Sequence, residues 1–258
     1  MIPKIIHYCW FGRGEVPKLM KKCLKSWDKF CPGWEIRLWN EDNFDVNSTL
    51  WTKQAYEAKK YAFVADYVRI WVLEKCGGVY LDTDQELVKP LEPFLMHEAF
   101  MGFLDSKNIS AGVLGAVAHH PVMEKLLSYY DERPFYSETG MDIKPNTNWM
   151  TDVLVELGLK MDDSFQQLPG VAVYPQTYFC PTSCVSIEDK TSADTVALHH
   201  WAMTWRTEKA KKDFARAKWH STPLYRGWEQ VKILPQRVIR KLFGDEAMEK
   251  LKRFLGKQ

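Results

Sequence analysis

Long hydrophobic runs are missing from this sequence. No stretch holds the roughly 20 consecutive apolar residues that a membrane-spanning helix needs. The N-terminal segment MIPKIIHYCWFG has too short an apolar run for a signal-peptide core, and no small-residue cleavage site follows it. Internal repeats and low-complexity segments are also missing. These features favour a globular protein of the cytoplasm.

Cysteine is scarce, with six residues that lie mostly inside apolar patterns. A chain of 258 residues with 46% hydrophobic composition is large enough to bury a core without disulfide crosslinks. Cys180 and Cys184, in the segment CPTSC, could begin a zinc site, but the complementary Cys or His pair at metal-ligand spacing is missing. A reduced compartment is therefore the simpler expectation.

The small net charge of +2 conceals an asymmetry along the chain. Residues 206–258 hold 15 Lys and Arg against 6 Asp and Glu, whereas residues 1–205 hold 20 against 27. The acidic balance of the longer region makes nucleic acid a poor partner. We expect a catalytic or binding domain at 1–205 and a basic, amphipathic helical region at 206–258, with different partners.

The hydrophobic pattern alternates between strand and helix periods, which is typical of an α/β fold with a mostly parallel central sheet. The predicted strands are 4–10, 35–39, 79–81, 86–88, 99–104, 171–174 and 195–200, and the predicted helices are 17–29, 49–75, 121–130 and 148–157. In such folds, ligands bind at the carboxyl ends of the strands.

Two carboxylates follow one buried strand in the segment GGVYLDTD, which ends with Asp82 and Asp84. Like charges so close together repel unless a cation lies between them. Oxygen ligands in a short, open arrangement suit Mg²⁺ or Mn²⁺, with substrate phosphates completing the coordination shell. A charged surface turn is the structural alternative.

A second charged pair, Asp66 and Arg69, lies in a predicted helix that is apolar on nearly every face. Buried charges need partners, and a spacing of three residues places the two on one face. They could form an internal salt bridge, or Asp66 could accept sugar hydroxyls while Arg69 meets hydroxyl or phosphate oxygens.

Two further segments carry candidate ligand groups. In LHHWAMTW, His199 and His200 point to opposite faces of a strand, so at most one of them can face a metal site. Trp205 could contact a diphosphate through its indole N–H. In HYCWFG, an aromatic residue at the end of the first strand could stack on a nucleobase. Core packing is the simpler explanation of the histidine pair, and it explains the aromatic segment as well as nucleobase stacking does.

Together these segments resemble glycosyltransferase family 32, the sugar transferases with a DxD motif. Four blocks occur in the family's order within residues 1–205: IPKIIHYCWFG, WNEDN, AKKYAFVADYVRIWVLEKCGGVYLDTD and LHHWAMTW. The resemblance implies a GT-A fold, a UDP- or GDP-sugar donor, Mn²⁺ or Mg²⁺, and transfer with retention at the anomeric carbon. It also implies a role in surface polysaccharide synthesis, as in capsule or lipopolysaccharide enzymes.

The resemblance assigns roles to individual residues. Those with metal-binding or catalytic roles are Asp82, Asp84, Asp66, Arg69 and His199, with His200 as the second choice for the histidine ligand. Those on the donor are Tyr8, Trp10, Asp66, Arg69, Asp82, Thr204 and Trp205. The family usually has Gly-Ser-Trp where this chain has Met203-Thr204-Trp205, so the contact of Thr204 with the diphosphate is the weakest of these assignments.

The acceptor is expected to be a glycan or a lipid-linked glycan. The basic region at 206–258 is either a solvated helical cap or a surface that binds the anionic inner face of the cytoplasmic membrane. Acceptor and donor selectivity is expected in the segments 105–112 and 145–151. A non-catalytic carbohydrate-binding protein with the same fold is the competing class, and the 11 tryptophans would suit it.

Overall fold

The computed structural model describes residues 1–137, 140–142, 146–182 and 189–202, together with positions 209, 212, 213, 215 and 216. The chain divides into two units, Met1–Trp205 and Arg206–Gln258. The fold given below is that of the first unit. The predicted basic helical region at 206–258 lies almost wholly outside the described residues. Among the helices that are described, none has the length and apolar character to cross a membrane.

Strands and helices alternate through most of the described chain. In order they are β1 Ile5–Cys9, α1 Lys18–Phe30, β2 Glu35–Trp39, α2 Leu50–Glu57, α3 Tyr61–Cys76, β3 Gly78–Leu81, β4 Gln85–Leu87, β5 Ala99–Gly102, β6 Val113–Ala116, α4 Pro121–Ser128, β7 Tyr136–Ser137, β8 Gly140–Met141, α5 Thr147–Glu156, β9 Gln166–Leu168, β10 Val171–Tyr174, α6 Gln176–Phe179 and β11 Ala197–His199. A 3-10 helix spans Glu92–Phe94.

A seven-stranded sheet forms the centre, in the order β2-β1-β3-β6-β5-β10-β9. Five strands run in one direction, and β6 and β9 run in the other. The predicted α/β fold with a mostly parallel sheet is confirmed. A second, two-stranded sheet pairs β11 with β4 in antiparallel register, and β7 pairs with β8.

Strand β3 separates two apolar clusters because alternate residues point to opposite faces. Val79 belongs to the cluster that includes Trp27 of α1. Tyr80 belongs to the cluster that includes Val68 of α3. All four residues of β3 are buried, as expected for a central strand covered on both sides. The strand therefore delivers the aspartates that follow it from a rigid position.

The predicted helix at 49–75 is wrong as a single element, because the structure breaks it into α2 and α3. Lys59 takes a left-handed conformation with φ of 57°, and the Lys60 N–H donates to the carbonyl of Ala55 at 2.8 Å. Trp51 then donates its indole N–H to the carbonyl of Phe63 at 2.9 Å. Packing of the two helices on each other sets the break. Helices usually end at a glycine in the left-handed conformation, and because Lys59 takes that position here, the sequence does not indicate the break.

The Gly77-Gly78 pair ends α3 and starts β3, as predicted. Gly77 has φ of 64° and Gly78 has φ of 112°, conformations that favour glycine. His7 of β1 lies against the pair, with Nε2 2.8 Å from the Gly77 carbonyl oxygen. A β-carbon on Gly78 would lie 2.9 Å from Nε2 of His7. The turn therefore needs glycine for close approach as well as for backbone conformation.

Candidate active site

Arg69 supplies the positive charge between two of the aspartates. Its Nη2 lies 3.1 Å from Oδ1 of Asp66 and 3.2 Å from Oδ1 of Asp82. Its Nη1 donates to the carbonyl of Ala111 at 3.0 Å, and the Tyr80 hydroxyl donates to Oδ1 of Asp82 at 3.1 Å. The Arg69 side chain is 8% exposed, so it joins α3 to the end of β3 inside the protein.

Asp66 is a partly buried carboxyl whose pKa departs from the usual value. Burial raises the pKa of Asp66 to about 6, although the neighbouring Arg69 acts in the opposite direction. Near neutral pH such a group exchanges readily between carboxylate and carboxylic acid. It can therefore either accept a hydrogen bond from a sugar hydroxyl or donate one.

Asp84 is held by the chain segment that follows β11. Pairing of β11 with β4 sets His199 opposite Gln85, and this brings His199 Nε2 to 3.3 Å from Oδ1 of Asp84. The Ala202 N–H donates to Oδ2 of Asp84 at 2.7 Å. Burial alone would raise the pKa of Asp84, but His199 and the Ala202 amide outweigh it and lower that pKa. Conversely, Asp84 outweighs burial and raises the pKa of His199 well above its usual value.

Asp82, Asp84 and His199 fit a divalent cation. One ligand atom from each residue lies within 4.8 Å of the others, so the three can converge on one ion. Two carboxylates and an imidazole suit Mn²⁺, and also Mg²⁺ when phosphate oxygens complete the shell. The other ring nitrogen of His199, Nδ1, lies 3.8 Å from the Cys180 thiol, and the Trp201 ring stacks on the imidazole with centroids 3.9 Å apart. Such contacts orient a ligating imidazole.

His200 lies outside this cluster. Its Nε2 is 2.7 Å from Oε2 of Glu86, which also pairs with Lys22 at 2.6 Å. His200 directly follows β11, and the two neighbouring histidines have different partners. Within the described part of the chain, His199 is the histidine that faces Asp82 and Asp84.

The other residues predicted to bind the donor are Trp10, Tyr8, Thr204 and Trp205. Trp10 follows β1 at the same edge of the sheet as Asp82, and its indole N–H donates to the Gly14 carbonyl at 2.9 Å. Tyr8 is half-buried and packs edge-on against Trp27, with ring centroids 5.5 Å apart. Thr204 and Trp205 lie outside the described residues. Nucleobase stacking by Trp10 and Tyr8 therefore stays a prediction.

Several residues that the sequence did not single out also contact the site. Asn146 is buried and donates its side-chain N–H to the carbonyl of Asp66 at 3.2 Å. Gly112 accepts the Asp82 N–H at 2.9 Å through its carbonyl. Gln85, directly after the DTD segment, is fully buried. Gly112 and Asn146 lie in the segments expected to set selectivity, but no motif distinguishes them from ordinary loop residues.

Residues 17–101, which include Asp66, Arg69, Asp82 and Asp84, match the family model described as a glycosyltransferase sugar-binding region containing a DXD motif. These residues are similar to the DXD-motif glycosyltransferases that the family model describes. The match covers α3, which carries Asp66, and β3 with the two aspartates that follow it, and it agrees with the predicted family. His199 lies beyond the matched residues.

Two yeast mannosyltransferase sequences align with about half of this chain. The chain is 31% identical over 131 residues to inositol phosphoceramide mannosyltransferase 2 of Schizosaccharomyces pombe, covering 49% of this chain and 38% of that protein. It is 30% identical over 139 residues to mannosyl phosphorylinositol ceramide synthase SUR1 of Saccharomyces cerevisiae, covering 51% and 36%. The chain thus spans less than two fifths of the length of these relatives.

Among solved structures, the galactosyltransferase LgtC in complex with donor and acceptor sugar analogues is similar over 86% of this chain and 99% of that one. The sequence identity is 15% and the TM-score is 0.41.

Proposed function

We propose that this protein is a metal-dependent, retaining glycosyltransferase with a GT-A fold. It would move a sugar from a UDP- or GDP-sugar to a glycan or lipid-linked glycan acceptor. One observation carries the proposal: Asp82, Asp84 and His199 offer ligand atoms within 4.8 Å of one another, next to the buried Arg69 that joins Asp82 to Asp66. A metal-binding set and a hydroxyl-binding pair thereby meet at one edge of the sheet.

In this proposal each group of site residues has a separate role. Asp82, Asp84 and His199 would hold Mn²⁺ or Mg²⁺, and the bound ion would supply a Lewis acid for the charge on a departing nucleoside diphosphate. Asp66 and Arg69 bind hydroxyls of the donor sugar and fix its orientation. Trp10 and Tyr8, at the end of β1, are the proposed contacts of the nucleobase, and Thr204 and Trp205 those of the diphosphate.

Retention is proposed to proceed on one face of the sugar. The three described aspartates of the site are engaged, since Asp66 and Asp82 pair with Arg69 and Asp84 with His199 and Ala202. A retaining glycosidase instead presents a carboxylate free to attack the anomeric carbon. We propose that the departing phosphate takes the proton of the acceptor hydroxyl. A glycosyl-enzyme trapped on any of these aspartates and seen by mass spectrometry would contradict this mechanism.

The acceptor class is proposed from the named relatives and from the charge of residues 206–258. Relatives named for mannose transfer to inositol phosphoceramide agree with a lipid-borne acceptor, and the net charge of residues 206–258 agrees with attachment to the anionic inner face of the cytoplasmic membrane. Synthesis of a surface polysaccharide such as capsule or lipopolysaccharide is the proposed context. Vesicle sedimentation tests the attachment: replacing Lys250, Lys252 and Arg253 by Glu should weaken binding to anionic vesicles.

Release of nucleotide from a panel of UDP- and GDP-sugars, with and without Mn²⁺, tests the proposed activity. The panel should include mannose, glucose and galactose donors, and the Asp84→Asn variant is the matched control. Metal-dependent release by the parent protein and its loss in the variant would support the enzyme. Sugar binding without release from any donor would instead support the competing class, a non-catalytic carbohydrate-binding protein.

A further inference from the structure

The side chain of Gln85 is buried without polar partners. The residue has no exposed surface, and neither Oε1 nor Nε2 of its carboxamide has a hydrogen-bond partner among the described residues. Buried amide groups are normally hydrogen-bonded, so an exception needs an explanation. Its backbone, by contrast, is paired: the N–H donates to the Asp82 carbonyl at 2.9 Å, and the carbonyl accepts the Trp27 indole N–H at 2.8 Å.

The unpartnered carboxamide lies near one oxygen of Asp82. A β-carbon on Gly112 would lie 2.5 Å from Nε2 of Gln85 and 3.3 Å from Oδ2 of Asp82, so both atoms border the same point above Gly112. The other oxygen of Asp82, Oδ1, is already engaged by Arg69 and Tyr80. Oδ2 is therefore the oxygen left for a cation, and Gln85 is the polar side chain beside it.

Strand pairing puts the same side chain next to the histidine ligand. Gln85 lies directly opposite His199 in the β4–β11 register, and opposite residues of an antiparallel pair project from the same face. Gln85 thus lies beside two of the three proposed metal ligands, Asp82 and His199. The third ligand, Asp84, precedes Gln85 in the sequence. Gly112 leaves the room that this arrangement needs, since any larger residue would displace the carboxamide.

We propose that Gln85 is a positioning residue for the metal site, an inference that rests on the proposed function. Its Nε2–H would donate to Oδ2 of Asp82 and orient that oxygen toward the divalent ion held with Asp84 and His199. Groups that orient metal ligands in this way commonly change metal affinity by about 10–100-fold when they are removed. An amide with only a packing role would be replaceable by an apolar side chain of similar volume at no cost.

The Gln85→Met variant separates these two roles. In the full-length protein, Mn²⁺ affinity is measured from the electron paramagnetic resonance signal of free Mn²⁺, and the unfolding midpoint is measured without metal. We expect the dissociation constant for Mn²⁺ to rise about 10-fold or more, while the midpoint stays level or rises. Leu87→Met, on the same buried strand, is the control and should leave both values unchanged.

Gly112→Ala provides a second probe that keeps the amide. Its added methyl group would displace Nε2 of Gln85 and should also weaken Mn²⁺ binding, whereas Gly14→Ala, where a β-carbon meets no atom within 4 Å, should not. If Gln85→Met or Gly112→Ala binds Mn²⁺ as tightly as the unmodified protein, the positioning role of Gln85 is overturned, but the proposed metal site is not. A parent protein that binds no Mn²⁺ would overturn the proposed metal site itself.

Discussion

Arg69 on α3 and Asp82 after β3 form an ion pair of 3.2 Å, and the same guanidinium nitrogen lies 3.1 Å from Asp66. The helix and the strand are joined by two glycines, so this contact closes a short loop of chain onto itself. One buried cation therefore fixes the distance between the proposed sugar-binding and metal-binding carboxylates.

Removing that cation should destabilise the protein strongly. Arg69→Met leaves Asp66 and Asp82 without their counter-ion, and breaking a buried pair in this way costs about 3–5 kcal/mol. The free energy of unfolding, measured by urea denaturation, should fall by that amount. Arg13→Met is the matched control, because its pair with Asp42 is more than half exposed and should contribute little to stability. Adding Asp66→Asn to Arg69→Met should restore part of the loss.

Acid should weaken the fold through His7. Burial lowers the pKa of His7 from about 6.5 to about 4, and Trp39 donates its indole N–H to Nδ1 at 3.0 Å. The unfolded chain therefore takes up this proton first as the pH falls. The resulting stability is complete above pH 6.5 and is lost between about pH 6.5 and about pH 4, to a total of about 3 kcal/mol.

Comparison with a variant isolates this contribution from those of the carboxylates. His7→Gln has no group that titrates in this window, so its free energy of unfolding should change less between pH 7 and pH 4.5 than that of the parent. Parallel pH profiles of the two proteins would show that His7 is not the group responsible.

The second glycine of the α3–β3 turn should not tolerate a side chain. In Gly78→Ala the new β-carbon would lie 2.8 Å from the Ile5 carbonyl oxygen, and the φ of 112° is itself unfavourable by about 1–3 kcal/mol for other residues. We expect a loss of at least that size in the free energy of unfolding. Gly14→Ala should change it by less than about 0.5 kcal/mol, and equal effects in the two variants would contradict the close approach to β1.

Asp84 should matter for the metal rather than for the fold. Asp84→Asn keeps a side chain of the same size that can still accept the Ala202 N–H, but it loses the negative charge that faces His199. Mn²⁺ binding and metal-dependent nucleotide release should fall by more than about 100-fold, with the circular dichroism spectrum unchanged. A variant that is unfolded at 25 °C would indicate a structural turn instead.

The sequence predicted the charged parts of the site because their chemistry is visible in residue types. Two carboxylates after a buried strand required a cation, and a helix apolar on nearly all faces required a partner for Asp66 and Arg69. The sequence could not predict that the cation beside Asp82 is the guanidinium of Arg69. Arg69 faces Asp82 through a tertiary contact between α3 and β3, and no spacing rule connects the two positions.

The remaining misses have physical causes as well. Strand β6 lies between β3 and β5 but contains Gly115, where a β-carbon would lie 2.1 Å from the Phe100 ring. Glycine there is required by packing, yet in a sequence it indicates a loop. Gln85 was overlooked because a single glutamine after a charged motif has no pattern. Its significance depends on burial without a partner, which only the structure shows.

The contact between Asp84 and the Ala202 N–H bridges 118 positions of the chain, and this has a consequence for biosynthesis. Both aspartates leave the ribosome long before β11 does, so a nascent chain holds only the acidic half of the proposed metal site. Closing so long a loop is entropically costly and slow compared with forming α3 and β3. If the proposed function holds, tight binding of the ion would become available only when the late strand has paired.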